Sequence, residues 1–331
     1  MKKCEFLVIG SNSFSGATFI AYLLEKGHNI FGISRSPEAN SCFLPYKWLD
    51  NTAHFKFVQA DLNDDLDEIM DIVDMEKPDY IVNFASQSMV SESWKNPDNW
   101  FKTNTVSNVR LHNRLRKRSF LKKYVHVTTP EVYKSTNDFI SEDTPFHPGT
   151  PYVVSHAASD MCLRTFFEAY NFPVVFTRSA TIYGPGQQLY RIIPRTILFI
   201  MSGKKIQLHG GGGSRRSFIH MWDASEATYR IAVNGRPGEN YHISATEIVS
   251  IRYLVERICR IMNVDFNDHV DVVEDQLSQD AVYMLDSSKL REALGWQDKI
   301  TLDLGLDDCI AWVRANFQAF KSLSFDYNLK L

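Results

Sequence analysis

Residues of the kind that carry out acid–base chemistry lie close together near the middle of the chain. Thr129 and Glu131 belong to the segment TTPEVY, and Tyr152 and His156 belong to the segment TPYVVSH. A carboxylate is a common general base, whereas a phenol, with a free pKa of about 10, acts as a base only where its anion is stabilised. His156 follows Tyr152 by one helical turn, so a helix would place both side chains on one face. These four residues form the candidate catalytic set.

The elements that must position this set alternate between short apolar runs and amphipathic stretches up to about residue 178. The predicted strands are Glu5–Ile9, Asn29–Ile33, Phe55–Gln59, Asp79–Phe84, Lys123–Thr128 and Phe172–Arg178, and two of the predicted helices are Phe14–Lys26 and Asn99–Arg118. Short apolar runs of this kind are typical of buried parallel strands. The alternation predicts an α/β fold with right-handed crossovers and a doubly wound parallel sheet of the Rossmann type.

From about residue 182 the pattern changes to helices, such as Ile192–Met201 and Ser250–Met262, mixed with short strands. The predicted division is a dinucleotide-binding domain of residues 1–181 and a smaller, mixed α/β substrate-binding domain of residues 182–331. An exchange of strands between the two lobes is possible. The GGGG segment at 210–213 predicts a tight turn between two strands.

The segment GSNSFSG, between the first predicted strand and the first predicted helix, is a candidate phosphate-binding loop. Gly10 allows a tight turn and Gly16 allows close helix packing, whereas Ser13 occupies the place where a third glycine is expected. A pyrophosphate would lie here on a helix N-terminus. The predicted cofactor contacts of the loop are Gly10, Ser13, Phe14, Ser15 and Gly16.

The end of the second predicted strand bears on the choice between NAD and NADP. An NAD-binding fold usually has an acidic residue there for the ribose 2′-hydroxyl, but this chain has Ser34 and Arg35. An arginine can pair with a 2′-phosphate, so the sequence favours NADP over NAD. Asp61, after the third predicted strand, could hydrogen-bond the adenine amine, and a helix N-cap is the alternative interpretation.

These features resemble those of the extended short-chain dehydrogenase/reductase family, in the nucleotide-sugar branch typified by dTDP-glucose 4,6-dehydratase and GDP-mannose 4,6-dehydratase. The resemblance covers nearly the whole chain, and its specificity comes from the order and spacing of several segments. They are GSNSFSG, NFASQSMV, TTPEVY, SEDTPFHPGTPYVVSH, IYGPGQ, RRSFIHMWD and DSSKLREALGW.

The resemblance implies an NAD(P)-dependent cycle on a nucleotide-diphosphate sugar: hydride leaves C4, the ketone acidifies the C5 proton, water leaves C6, and hydride returns to C6. By this resemblance Thr129 assists the redox step, Tyr152 is the base for the 4-hydroxyl, and Glu131 removes the C5 proton. His156 stands where the family carries a lysine that binds the nicotinamide ribose. Further implied contacts are Leu62, Phe84, Ala85, Tyr152 and His156 for the cofactor, and Ser88, Thr129, Thr181, Arg191 and Arg216 for the substrate.

Two departures from the family pattern bear on the chemistry. His156 is mostly neutral at pH 7 unless the site raises its pKa, so it gives a phenolate less Coulombic support than an ammonium would. Pro130 stands where dehydratases carry an aspartic acid that protonates the departing C6 oxygen. We therefore expect a slower redox step or a more alkaline optimum, and a different acid for the leaving group. The alternatives are an epimerase or decarboxylase acting through a 4-keto intermediate, and a cofactor-binding protein that has lost turnover.

Composition and charge limit the remaining classes. The 331 residues, 44% hydrophobic and 23% charged, are typical of a globular protein, and the net charge of −3 argues against nonspecific nucleic-acid binding. The apolar run after Cys4 is too short for a signal sequence, and no segment approaches the roughly 20 apolar residues that span a bilayer, so we expect a cytoplasmic protein without membrane contact. The cysteines and histidines lack metal-ligand spacing, so no metal site is predicted. By the resemblance, the helix from Asn99 and the helix carrying Tyr152 would form the interface of a homodimer.

Overall fold

Parallel strands and helices alternate along most of the chain. The computed structural model describes residues 5–133, 135–136, 138–274, 283–321 and 323. Its strands are β1 (Phe6–Ile9), β2 (Ile30–Ser34), β3 (Phe55–Gln59), β4 (Tyr80–Asn83), β5 (Lys123–Thr128), β6 (Phe139–Ile140), β7 (Val174–Ser179), β8 (Thr181–Tyr183), β9 (Ile206–His209), β10 (Arg215–His220), β11 (Asn240–Ile243), β12 (Ile248–Ser250), β13 (Val270–Val273) and β14 (Met284–Leu285). Its helices are α1 (Phe14–Glu25), α2 (Leu66–Glu76), α3 (Val90–Ser93), α4 (Pro97–Trp100), α5 (Asn108–Leu115), α6 (Pro151–Tyr170), α7 (Ile192–Met201), α8 (Met221–Asn234), α9 (Ile251–Met262), α10 (Phe266–His269), α11 (Ser288–Leu294) and α12 (Leu302–Phe320).

The largest sheet has seven strands in the order β11-β7-β5-β4-β1-β2-β3, and all its neighbouring strands are parallel. The order reverses at β1, because the chain runs outward to β2 and β3 on one side and then to β4, β5 and β7 on the other. In such sheets ligands bind outside the carboxyl ends of the strands, at this reversal. The predicted doubly wound parallel sheet is confirmed.

Two helical layers cover the faces of this sheet. Phe6 and Val8 of β1 pack with side chains of α1 and α8, whereas Leu7 and Ile9 pack with side chains of α2, α5 and α6. Successive residues of a strand point to opposite faces, so a strand covered on both faces needs an apolar residue at every position. This is why continuous apolar runs predict these strands well.

The smaller lobe has its own core, which α7, α9 and α12 enclose. The predicted boundary between residues 181 and 182 falls inside β8, the strand Thr181–Tyr183. Two elements that follow this boundary return to the large sheet: β11 pairs with β7, and α8 packs in the same apolar cluster as α1. The lobes therefore share elements, and their division into two domains stays a prediction.

The predicted helix Asn99–Arg118 is helical from Pro97 to Leu115 in the structure, but its interior is not α-helical. A π-helical segment spans Phe101–Ser107 between α4 and α5. Within it, the Asn104 side-chain amide donates to the Ser155 hydroxyl at 3.0 Å, and the Thr105 hydroxyl donates to the Ser155 carbonyl at 2.9 Å. These bonds tie the segment to α6, because buried amide and hydroxyl groups require partners.

The GGGG segment is a 3₁₀ turn at Gly210–Gly212 between β9 and β10. Gly210, Gly211 and Gly212 have φ values of +55°, +69° and +70°, which glycine adopts without strain. The turn does not close a hairpin, because β9 pairs with β13 while β10 pairs with β8 and β12.

Candidate active site

The loop between β1 and α1 has the geometry of a phosphate-binding turn. Gly10 has a φ of +82°, and a Cβ there would lie 2.8 Å from the amide nitrogen of Ala85. A Cβ at Gly16 would lie 2.2 Å from the carbonyl oxygen of Gly10. Ser13 caps α1 instead of serving as a third glycine: its hydroxyl accepts from the Gly16 amide at 3.0 Å and donates to the Gly10 carbonyl at 2.7 Å.

This loop fits a dinucleotide pyrophosphate. Because α1 begins just after β1, its N-terminus lies at the carboxyl edge of the sheet, where exposed N–H groups favour an anion. Phe14 is buried in the first turn and Ser15 is half-buried. Phe84 and Ala85 follow β4 and adjoin Gly10 from the neighbouring strand. The residues predicted to hold the cofactor are thus placed around one turn.

The residues predicted at the adenosine end lie at the ends of β2 and β3. Ser34 is the last residue of β2, and the half-buried Arg35 follows it. Leu62 is buried in the core. The Asp61 carboxylate accepts from the Asn63 amide at 2.8 Å, and α2 begins only at Leu66. The interpretation of Asp61 as a helix N-cap is therefore wrong, because its carboxylate closes the turn that precedes the helix.

Three of the four candidate catalytic residues meet at the carboxyl end of β5. Thr129 follows β5, and its hydroxyl accepts from the Glu131 amide at 3.2 Å. The Thr150 hydroxyl caps α6 by accepting from the Val153 amide at 3.2 Å, which places Tyr152 in the first turn of that helix. The Thr129 side chain and the Glu131 carboxylate both lie close enough to the Tyr152 phenol to shift its pKa, Glu131 upward and Thr129 downward.

Burial sets the acid–base properties of this group. Burial, and then the negative charge of Glu131, raise the pKa of the Tyr152 phenol well above its usual range. Burial also raises the pKa of Glu131, although the Arg216 and Arg191 guanidinium groups oppose the shift. A carboxylate whose pKa lies nearer to neutrality is a stronger base than an exposed one. The arrangement therefore suits Glu131 to proton abstraction and leaves Tyr152 protonated at neutral pH.

His156 packs directly against the tyrosine. Its ring centroid lies 4.9 Å from that of Tyr152 in an edge-on arrangement, and only 5% of the residue is exposed. Burial lowers the pKa of His156 to about 4, with the nearby Asp160 carboxylate acting in the opposite direction. The imidazole is therefore neutral at pH 7 and supplies no positive charge to a phenolate.

The smaller lobe contributes two cations to the site. Arg191 immediately precedes α7, and Arg216 lies on β10. Both interact electrostatically with Glu131. Thr181, half-buried at the start of β8, lies opposite Phe218 in the pairing of β8 with β10, two residues along the strand from Arg216. Ser88 is exposed in the loop between β4 and α3.

Tyr283 is a site residue that the sequence analysis missed. Burial, and then Glu131, raise the pKa of its phenol to about 12, and Arg216 lies within electrostatic reach. It also packs against the apolar cluster that contains Tyr152. Its position just before β14, far along the chain from β5, offers no local signal of this proximity.

Two further expectations concern membranes and metals. In the described part of the chain, no helix combines the length and apolar character needed to cross a membrane. No group of three or more potential His, Cys, Asp or Glu ligands lies together among the same residues, and Cys4 lies outside them.

Comparison with known proteins shows a consistent likeness. The family model described as GDP-mannose 4,6 dehydratase matches residues 7–309. A dTDP-D-glucose 4,6-dehydratase from Mus musculus is 30% identical over 280 residues, which are 83% of this chain and 78% of that protein. The structure of a double mutant of the dTDP-glucose 4,6-dehydratase from Streptomyces venezuelae, with NAD bound, has a TM-score of 0.87 and 26% identity, covering 96% of this chain and 99% of that one. The NAD complex of the dTDP-glucose 4,6-dehydratase from Bacillus anthracis has a TM-score of 0.86 and 27% identity, covering 96% and 98%.

Proposed function

The chain belongs to the GDP-mannose 4,6 dehydratase family, and on this premise we propose how its residues carry out the reaction. It is an NAD(P)-dependent nucleotide-sugar 4,6-dehydratase of the extended short-chain dehydrogenase/reductase type. The observation that carries the assignment of roles is the convergence of Thr129, Glu131 and Tyr152 at the carboxyl edge of the sheet. These roles are our proposal.

Tyr152 acts on the 4-hydroxyl of the sugar. Its phenol must first lose a proton to solvent, and the phenolate then accepts the proton of the 4-hydroxyl while Thr129 donates a hydrogen bond to the same oxygen. When bound, the nicotinamide cofactor would take up hydride from C4 and return it at C6, so that it leaves the cycle unchanged. Because burial raises the pKa of Tyr152 and His156 is neutral, phenolate formation at pH 7 is disfavoured. This supports the expected slow redox step or alkaline optimum.

Glu131 acts on C5 of the 4-keto sugar. The ketone makes the C5 proton acidic, the Glu131 carboxylate accepts that proton, and the protonated C6 hydroxyl leaves as water. When hydride is added at C6, the protonated Glu131 would return a proton to C5, which completes the 4-keto-6-deoxy sugar. Pro130 cannot donate a proton to the departing oxygen. We assign this donation to Tyr283, whose phenol stays protonated and interacts with Glu131 and Arg216.

Arg191 and Arg216 are proposed to bind the diphosphate of the substrate. Both guanidinium groups lie within electrostatic reach of Glu131, and arginine pairs with phosphate through two parallel hydrogen bonds. The relatives with this likeness act on dTDP-glucose, so dTDP-glucose is the first substrate to test, ahead of GDP-mannose.

The preference for NADP is a finer proposal. It is supported by Ser34 and Arg35 at the end of β2, where an acidic residue would favour NAD. The solved relatives bind NAD, which makes NAD the alternative. The two cofactors are distinguished by titrating NADPH and NADH against the protein and against Arg35→Ala. If NADP is preferred, the variant should lose affinity for NADPH and not for NADH.

A homodimer is also proposed, through the π-helical segment and α6. Val106 of the π-helical segment and Val154 and Met161 on one face of α6 are exposed apolar side chains. An exposed apolar patch of this kind is typical of an interface. Light scattering of the protein and of Met161→Glu would show a dimer that the variant weakens. The cytoplasmic location stays a prediction from the sequence.

The activity is tested by incubating the protein with dTDP-glucose or GDP-mannose and NAD or NADP in deuterated water. A 4-keto-6-deoxy sugar that carries solvent deuterium at C5 is the expected product. A C4 epimer, or carbon dioxide from a nucleotide-linked uronate, would assign one of the alternative activities instead. Binding of NADP(H) without turnover of any nucleotide sugar at any pH would indicate loss of catalysis.

A further inference from the structure

A buried polar cluster lies behind the catalytic tyrosine, and the proposed reaction uses only its His156. It consists of His126, Thr128, His156, Asp160 and Arg178, which we call the Asp160 cluster; each of these residues is at most 8% exposed. Arg178 donates to one oxygen of the Asp160 carboxylate at 2.5 Å, and the Thr128 hydroxyl donates to the same oxygen at 3.2 Å. The Thr128 oxygen also lies 3.3 Å from Nδ1 of His156. The cluster therefore links a buried ion pair to the imidazole beside the tyrosine.

The hydrogen atoms in this cluster can be assigned from the chemistry of the groups. Burial opposes ionisation of Asp160, but the Arg178 charge and His126 keep its pKa below the usual range, so it is a carboxylate and only accepts. Thr128 has one hydroxyl hydrogen, which it donates to Asp160. The contact between Thr128 and His156 then requires Nδ1 of His156 to be the donor. A neutral imidazole that is protonated at Nδ1 carries a lone pair at Nε2.

Nε2 of His156 has no hydrogen-bond partner within the part of the chain that the structure describes, although it is buried. Buried polar atoms are normally paired, so an unpaired acceptor beside a catalytic group indicates the place of a ligand. The ligand atom must be a donor, because the imidazole nitrogen accepts. A lysine ammonium could only donate in this place. The replacement of lysine by histidine thus reverses the direction of the hydrogen bond.

We infer that Thr128 and Asp160 hold His156 in its Nδ1-protonated form, so that Nε2 accepts a hydrogen bond from a hydroxyl of the ligand bound beside Tyr152. Thr128 and Asp160 are positioning residues, since they act through His156. The ligand group is a ribose or sugar hydroxyl, and this identification alone rests on the proposed function.

The charges around His156 maintain this state. Burial is the main cause that lowers the pKa of His156; the Asp160 carboxylate raises that pKa, and His126 and Arg178 lower it further. The nearby Nε2 of His126 lies 3.2 Å from the second Asp160 oxygen, without the alignment of a hydrogen bond. One carboxylate shared with an arginine cannot also stabilise an imidazolium strongly. His156 is therefore a neutral acceptor across the pH range in which the protein is handled.

Nitrogen-15 NMR of the histidine-labelled full chain tests the inference directly. His156→Gln identifies the His156 signals by their loss. We expect a protonated, pyrrole-type Nδ1 and a bare, pyridine-type Nε2 from pH 6 to 9, and we expect Nε2 to move toward lower frequency when NADH or NADPH is added. Two matched variants examine positioning: Thr128→Val removes the hydroxyl, and Thr128→Ser keeps it.

Thr128→Val should mix the two tautomers and weaken dinucleotide binding about three- to tenfold, as the loss of one hydrogen bond predicts, while Thr128→Ser should behave like the unaltered protein. A protonated Nε2 in the unaltered protein overturns the inference, and the only variant that this measurement needs is His156→Gln, for assignment of the signals. An unchanged tautomer in a folded Thr128→Val overturns the role of Thr128. An absence of nucleotide-sugar turnover would refute the proposed function alone, because the tautomer and the response to dinucleotide are measured without turnover.

Discussion

The two sides of the active site differ in origin and in charge. The tyrosine side consists of Thr129, which follows β5, and of Tyr152 and His156 on α6; it is buried, and the Arg191 charge lowers the pKa of Tyr152 less than burial raises it. The glutamate side consists of Glu131, Arg191, Arg216 and Tyr283, and its two cations come from the smaller lobe. Each side carries one departure from the family pattern, namely His156 and Pro130.

This difference shows how one site can separate two kinds of proton transfer. On the tyrosine side, burial raises the pKa of the phenol and keeps it protonated, so under the proposed roles we expect its ionisation to limit the redox step. On the glutamate side, burial raises the pKa of Glu131 and so makes it a stronger base, whereas the positive charges of Arg216 and Arg191 lower that pKa. The consequence is that variants on the two sides should stop the cycle at different points.

Tyr152→Phe should have the largest effect and stop the cycle at its start. Loss of a positioned acid–base group lowers the rate about 10²–10⁴-fold. Because no 4-keto sugar would form, C5 deuterium exchange should disappear together with product, as mass spectrometry of the recovered sugar can show. Product formation at an undiminished rate would remove Tyr152 from the mechanism.

Glu131→Gln should reduce product about as strongly, by 10²–10⁴-fold, but at a later point. Oxidation at C4 does not need this carboxylate, so mixing the variant with substrate should still give the absorbance of reduced nicotinamide. A variant that shows neither reduced nicotinamide nor product would mean that the two sides are not independent.

Tyr283→Phe should have a smaller effect of about tenfold to a hundredfold on product, because it removes the donor to the leaving oxygen and not the base. C5 deuterium exchange into the substrate should continue, because Glu131 still removes the proton. The variant keeps the aromatic ring that packs near Tyr152, so we expect it to fold like the unaltered protein. Loss of exchange in parallel with product would argue against Tyr283 as the acid.

His156→Lys tests whether charge limits the tyrosine side. An ammonium beside a phenol lowers the phenol pKa by about 1–3 units, so the alkaline rise of the rate should move to lower pH by a similar amount. His156→Gln, which has no charge at any pH, is the matched control and should leave the rise in place. A pH profile that is identical in the lysine variant would mean that another group controls Tyr152.

Acidification should have the smallest effect of these predictions. We expect folding stability to be unchanged near neutrality and to fall at lower pH. Burial lowers the pKa of His156 and of His220 to about 4, and that of His242 to about 3. The unfolded chain takes up these protons near pH 6.5 and the folded chain does not, so stability falls as the pH drops from about 6.5 toward 4, by up to about 2 kcal/mol per histidine at pH 5.

Thermal unfolding at pH 8 and at pH 5 measures this loss. His156→Gln should show a smaller fall between the two pH values, because one of the buried imidazoles is absent. An equal fall in both proteins would contradict the low pKa of His156.

Several elements followed from local sequence alone. The bounds predicted for β3, β5 and α7 match those of the structure, since buried parallel strands and amphipathic helices have clear local patterns. The interior of the Asn99–Arg118 helix did not follow, because its π-helical segment depends on side-chain bonds to Ser155 on α6. Hydrogen bonds between distant segments leave no periodicity to detect.

The sequence by itself determined the fold class, the family and the candidates Thr129, Glu131, Tyr152 and His156, because residue type and short-range spacing carry that information. Only the tertiary structure decided that Tyr283 joins Glu131 and that Asp160 and Thr128 orient His156. The physical reason is that donor direction and pKa depend on burial and on partners from distant elements, which packing alone brings together.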